Sequence, residues 1–166
     1  MPSYSSRYKT LHDIEWFFEC CGYRVHAVSN AGEIPAKIDR DENTRLQFRM
    51  EEMPDIIDDE DVYVNSDYVR YRLSITDNNR EGAYNDYVYG FKRIARKGYY
   101  SFDRDITVGE NSRSYVLIAG PGKAEIQQDI QNLELPRLED GVDIRRCVIG
   151  FQDAGQSFLN WGFVVL

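Results

Sequence analysis

The sequence is short of the residues that carry chemistry on their own. Three cysteines are spread over 166 positions, two adjacent at Cys20 and Cys21 and one at Cys147. An odd, low count without paired spacing excludes a disulfide framework and fits free thiols in a reducing compartment. The two histidines, His12 and His26, form no HxxxH pattern and the cysteines no CxxC pattern, so no structural zinc site is expected. No Gly-x-Ser-x-Gly elbow occurs. Cys20 and Cys21 fall at the end of a segment with helical spacing, where the helix dipole disfavours a thiolate, and Cys21 lies on its apolar stripe as a core residue. No apolar run approaches the roughly 20 residues of a membrane span. The first nine residues lack the apolar core of a secretory signal, which points to a cytoplasmic or intracellular location without a membrane partner. Bases are also scarce: 20 Lys and Arg stand against 28 Asp and Glu, a net charge of −8. A surface of that sign repels phosphate, so nucleic acid is not an expected partner.

What remains is an ordinary globular composition, 42% hydrophobic, with a generous 13% of aromatic residues. A chain of 166 residues is long enough to bury a core of its own. The apolar spacing of Leu11, Ile14, Phe17, Phe18 and Cys21 predicts a first helix over 11–21, capped by Thr10 and preceded by a frayed lead-in over residues 1–9. Tyr23, Val25 and Ala27 alternate with Arg24 and His26 as in a strand with a polar side. Asn30-Ala31-Gly32 turns the chain, and 36–39 extends it again. Leu46, Phe48 and Met50 alternate as a half-buried strand after a hairpin loop at 39–43. Val69, Tyr71, Leu73 and Ile75 make the cleanest strand pattern, over 68–76. Tyr84, Tyr87, Val88, Phe91, Ile94 and Ala95 fit a helix stripe closed by Gly98, while Tyr87, Tyr89 and Phe91 would also fit a strand. The continuous apolar run 115–119 reads as a central strand covered on both faces. A helix from Pro121 with Ile126, Ile130 and Leu133 follows, then strands near 142–151 and 158–166. There is no repeat and no linker. The order predicts one α+β domain over 1–166, a largely antiparallel sheet with two or three helices.

Two motifs invite a ligand. Gly120-Pro121-Gly122-Lys123 follows the apolar run, but a phosphate-binding loop needs a glycine where Leu117 stands and a hydroxyl where Ala124 stands. The simpler reading is a turn with Pro121 starting a helix, with weak anion binding by Gly120, Gly122 and Lys123 as its minor use. Asp77, Asn79 and Glu81 sit at alternate places of a calcium loop, with Gly82 at the bend, but the closing glutamate position is Val88. Turn chemistry is the better account. Neither motif calls for a cofactor.

Charge is placed unevenly. Seven acids and no base lie between Glu51 and Asp61, among them Asp55, Asp58, Asp59, Glu60 and Asp61. Lys92, Arg93, Arg96 and Lys97 cluster beyond them. The chain closes on Leu159, Trp161, Phe163 and Val165, which share one face of a strand held in its own sheet or added to a partner's. Together these features favour a non-enzymatic protein working through contact with a protein partner or with itself, as an oligomer or a subunit of a larger assembly such as a virion. Two alternatives stand beside it: a small phosphate- or nucleotide-binding enzyme using Gly120–Lys123, and an acidic inhibitor that mimics nucleic acid.

Overall fold

The computed structural model describes residues 2–20, 22–76, 80–122, 135–138 and 162–165. In chain order they form α1 (Ser6–Leu11), β1 (Glu15–Cys20), β2 (Tyr23–Val28), α2 (Arg40–Glu52), β3 (Val62–Val64), α3 (Ser66–Arg72), α4 (Glu81–Ala95), β4 (Tyr100–Arg104), β5 (Ser114–Pro121) and β6 (Gly162–Val164). Short 3₁₀ turns at Asp59–Asp61 and Ile106–Val108 lead into and out of the sheet. The sheet runs β1-β2-β4-β5-β3, and β6 also pairs with β5. Among the described residues the one parallel strand pair is β2 with β4 and there are four helices, so the expected α+β class and largely antiparallel sheet hold.

β1 corrects the first expected helix. In Glu15–Cys20, Trp16 and Phe18 pack into one core cluster and Phe17 into another, on opposite faces of the strand. Burial on both faces removes the alternation that marks a strand, and the remaining apolar spacing imitates a helical one. The true helix lies earlier. Ser5 caps α1 by accepting from the Tyr8 amide, and Arg40 N–H donates to the Pro2 carbonyl, so this stretch is not a frayed lead-in. Thr10 lies inside α1 rather than capping a helix, its hydroxyl donating to the Arg7 carbonyl. β1 turns into β2 through Gly22 at φ +79°, where a side chain would be strained.

Two expected strands are helices. Asp39 caps α2 by accepting from the amides of Asp41 and Glu42, whose carboxylates suit the positive end of the helix dipole. Leu46 and Met50, one turn apart, enter the core, while Phe48 stays 70% exposed. The segment 36–39 makes a turn instead of an extension. In α3, Val69 is buried and Tyr71 is 70% exposed, where a strand would have put both on one face. Ser74, at φ +53°, turns the chain away from α3. The helix reading of 84–95 stands, and Gly98 at φ +90° follows it.

α2, α3 and α4 cover one face of the sheet. Phe17 meets Leu46 and Met50 of α2 and Ile94 of α4, and Ile118 meets Val69, Val88 and Phe91. On the other face Trp16, Phe18, Val25, Ala27, Phe102, Leu117 and Phe163 form a single cluster with Ile34 and Ile38. Phe163 is central to it: stacked on Tyr115 at 4.6 Å, with edge contacts to Trp16, Phe18 and Phe102. β6 therefore belongs to the chain's own sheet. Cys20 is fully buried in this cluster; Cys21 and Cys147 lie outside the described residues.

β5 runs through Pro121, which pairs with Val62, so Pro121 does not open a helix. The expected helix stripe at Ile126, Ile130 and Leu133 and the strand near 142–151 lie outside the described residues. Among the described residues no helix is long and apolar enough to cross a membrane.

Candidate functional site

The strand registers place a polar block on the helix-covered face. Glu15, Val28 and Asp103 lie abreast on β1, β2 and β4; Phe17, His26 and Ser101 form the next row. Because Trp16, Phe18, Val25, Ala27 and Phe102 take the opposite face, alternation directs Glu15, His26 and Asp103 beneath the helices. His26 is thus buried, at 1% exposure, where the sequence suggested a polar side. α4 adds Tyr87, Gly90 and Phe91, and α3 adds Arg72. With Asp13 and Asn30 at the strand ends, these residues line a cavity of about 320 Å³.

Arg72 and Asp103 form a buried ion pair at 2.9 Å, their side chains 5% and 4% exposed. The Arg72 guanidinium also donates to the Arg104 carbonyl at 2.6 Å and to the Tyr68 hydroxyl at 3.2 Å, and lies 5.5 Å from the Tyr87 ring centre. The Tyr87 hydroxyl donates to Asp103 Oδ2 at 2.6 Å. Asp103 Oδ1 has no hydrogen-bond partner among the described residues. Burial raises the Asp103 carboxyl to about 6 despite the opposing pull of Arg72 and Tyr87. Burial also raises the Tyr68 and Tyr87 hydroxyls, which stay protonated.

His26 is held on the other side. Its Nδ1 shares a short hydrogen bond with the Ser101 hydroxyl, and its ring is 5.0 Å from that of Phe17. Burial, assisted by the Arg93 charge, lowers its pKa to about 3, so the imidazole is neutral. Nε2 stands 3.9 Å from the Glu15 carboxylate, beyond hydrogen-bond reach, and has no partner among the described residues. Burial pushes the Glu15 carboxyl up, against the pull of Arg93. The cavity therefore combines a carboxyl that titrates near neutral pH with a neutral imidazole. The carboxyl exchanges a proton near pH 6, while the neutral imidazole serves hydrogen bonding only.

The residues singled out from sequence lie elsewhere. The acidic and basic segments meet within the chain: Lys92 bonds Asp59 at 2.6 Å, Arg93 grips Glu51 with both nitrogens, Arg96 reaches Asp55 at 3.1 Å and Asp59 at 2.9 Å, and Lys97 bonds Asp55 at 3.2 Å. Asp58 and Glu60 remain exposed. Arg93 holds the Glu51 carboxyl below its ordinary range, and Lys92, with Arg96, does the same for Asp59.

Gly122 N–H donates to the Asp61 carbonyl at 2.8 Å, and a Cβ at Gly122 would sit 2.7 Å from that oxygen. At Gly120 a Cβ would lie 2.6 Å from the Tyr100 ring. Both glycines thus allow close packing around a strand end, and the Gly122 amide is not available to a phosphate. Lys123, Asp77, Asn79 and Trp161 lie outside the described residues, and Glu81 pairs with Arg70 at 3.2 Å in the first turn of α4. Among the described residues no group of three or more His, Cys, Asp or Glu side chains is arranged to hold a metal ion.

Sequence reasoning passed over Asp103, Arg72 and Glu15 because each is unremarkable alone. The available signal was an acid and a histidine inside apolar segments, and only the strand register brings them together. No protein-family model matches the chain, and no curated protein or solved structure is detectably similar to it.

Proposed function

We propose that this domain binds a small molecule in the cavity beneath α4. One observation carries the reading: Asp103 Oδ1 and His26 Nε2 are buried, unpartnered, and belong to residues that line the same cavity. Buried polar atoms are almost always satisfied, and leaving one bare costs about 1–3 kcal/mol. Two such atoms on residues that line a space of ligand size, beside Val28 and Phe91, give the site the composition of a binding pocket. Gly90 supports an open mouth: it is exposed, lines the cavity, and a side chain there would meet no atom within 4 Å. The test is ligand-observed NMR with a mixed fragment set on the full chain and on Gly90→Leu. Leucine suits a helix interior better than glycine, so the variant folds while its side chain covers the mouth. Fragments that bind the parent and not the variant support the reading. Binding unchanged by the substitution overturns it.

Contact with a second protein is the other reading, and one observation favours it. Phe48 and Tyr89 are 70% and 64% exposed, and each lies one helical turn from the Glu51–Arg93 pair that joins α2 to α4. An exposed aromatic on either side of an ion pair is a suitable start for a docking surface. The acidic and basic segments contribute less than their charges suggest, since they largely neutralise each other within the chain. Sedimentation of the chain and of Phe48→Ser/Tyr89→Ser tests self-association. Monomers at every concentration remove that form of the reading.

A further inference from the structure

We infer that the cavity's ligand is a small organic cation with an apolar body, an ammonium whose charge lies against Asp103 and Glu15. The inference rests on the small-molecule reading above and adds the chemistry of the ligand. Three carboxyl groups line the cavity, from Asp13, Glu15 and Asp103, against a single cation, Arg72. Arg72 is already committed to Asp103, Tyr68 and the Arg104 carbonyl. His26 is neutral and adds no positive charge. An anionic ligand, a phosphate ester included, would meet a surplus of negative charge in a site of low dielectric constant, where repulsion is strong.

An ammonium group fits the acceptors left over. Asp103 Oδ1 lacks a donor among the described residues, and the Glu15 carboxylate, drawn on by the Arg93 charge, has the His26 ring 3.9 Å away. In the tautomer that donates from Nδ1 to Ser101, His26 Nε2 is an acceptor without a donor among the described residues. Asp13 contributes charge more than hydrogen bonding, because its Oδ1 already accepts from the Asn30 amide at 2.6 Å. Phe91 and Val28 supply the apolar wall, and aromatic faces near a desolvated cation add to its binding. Among the described residues these acids do not form a metal-holding cluster, which favours an organic cation that spreads its donors.

The experiment is calorimetry on the full chain at pH 7.5 with three matched probes: phenethylammonium, 2-phenylethanol and 3-phenylpropanoate. The ammonium is expected to bind at least tenfold more tightly than either isostere. Asp103→Asn is expected to weaken it at least fivefold; should that variant unfold for lack of an Arg72 partner, Glu15→Gln, at a half-exposed side chain, carries the same expectation. Affinity should also fall as pH drops through 6, where Asp103 takes up a proton among Asp13, Glu15, His26, Arg72, Tyr68, Tyr87 and Arg104. Equal or tighter binding of the alcohol or the carboxylate overturns the cationic ligand, and leaves the cavity reading standing if Gly90→Leu abolishes that binding. Failure of all three probes overturns the inference as well, and the fragment comparison with Gly90→Leu then decides the cavity reading separately.

Discussion

Replacing His26 by glutamine should remove about 2 kcal/mol of acid destabilisation between neutral pH and pH 5. In the native state His26 titrates near 3 instead of 6.5, because its ring is buried and Arg93 is nearby. Below pH 6.5 the unfolded chain therefore takes up a proton that the native state refuses, and stability falls as pH drops toward 3. Integrating that difference from neutral pH to pH 5 gives a loss of about 2 kcal/mol. Asp103 works in the opposite direction. Its native value is raised from 3.8 to about 6, so the native state holds a proton that the unfolded chain releases. Stability gains about 1 kcal/mol from this group between pH 7.5 and 5, and loses it again as pH rises through 6. From these two groups the parent loses about 1 kcal/mol over that interval and His26→Gln gains about 1 kcal/mol. Urea unfolding followed by tryptophan fluorescence at pH 7.5 and 5.0 measures both changes. The fixed cost of the substitution, including the lost Ser101 hydrogen bond, is present at both pH values and cancels. All other titrating groups are common to the two proteins. Parallel pH dependence of parent and variant would refute a neutral, buried His26.

Phe163→Ala removes a ring that touches four other aromatics, and should cost about 3–5 kcal/mol in the same unfolding assay. Gly90→Ala places a methyl in open space within a helix and should raise stability by about 1 kcal/mol; a loss would mean the space is occupied. Cys20, fully buried, should resist alkylation until the protein unfolds, and mass spectrometry of labelled peptides separates it from Cys21 and Cys147. A double-mutant cycle of Lys92→Ala and Asp59→Ala should return a coupling below about 1 kcal/mol that shrinks with salt, because the Asp59 carboxylate faces solvent.

The sequence made the fold class legible, and it made some elements legible better than others. β2 and β5 were readable because one alternates and the other is apolar throughout. α4 was readable because Tyr84, Val88, Phe91 and Ala95 keep one stripe over three turns. β1 was hidden by burial on both faces, and α2 and α3 by the accident that Phe48 and Tyr71 fill the polar half of their helices. The Asp39 cap, with Asp41 and Glu42 behind it, was the stronger clue to α2, and local alternation outweighed it. The cavity was not legible because its members come from five elements spanning residues 13–103. Their nearness depends on β2 lying beside β4, a pairing that spacing along the chain does not reveal.

That pairing sets a timetable for the protein's manufacture. The β1–β2 hairpin is complete once Val28 has been made, yet its inner edge is matched only by β4, which starts at Tyr100. A ribosome adding about 5–20 residues per second takes about 4–14 s to supply what lies between. Throughout that interval β2 offers unmatched amide and carbonyl groups beside the apolar side chains of Val25 and Ala27, an edge that any other nascent hairpin of the same kind can extend. Half-made chains pairing through that edge are an expected loss in production, and slower initiation, which spaces ribosomes along the message, should reduce it.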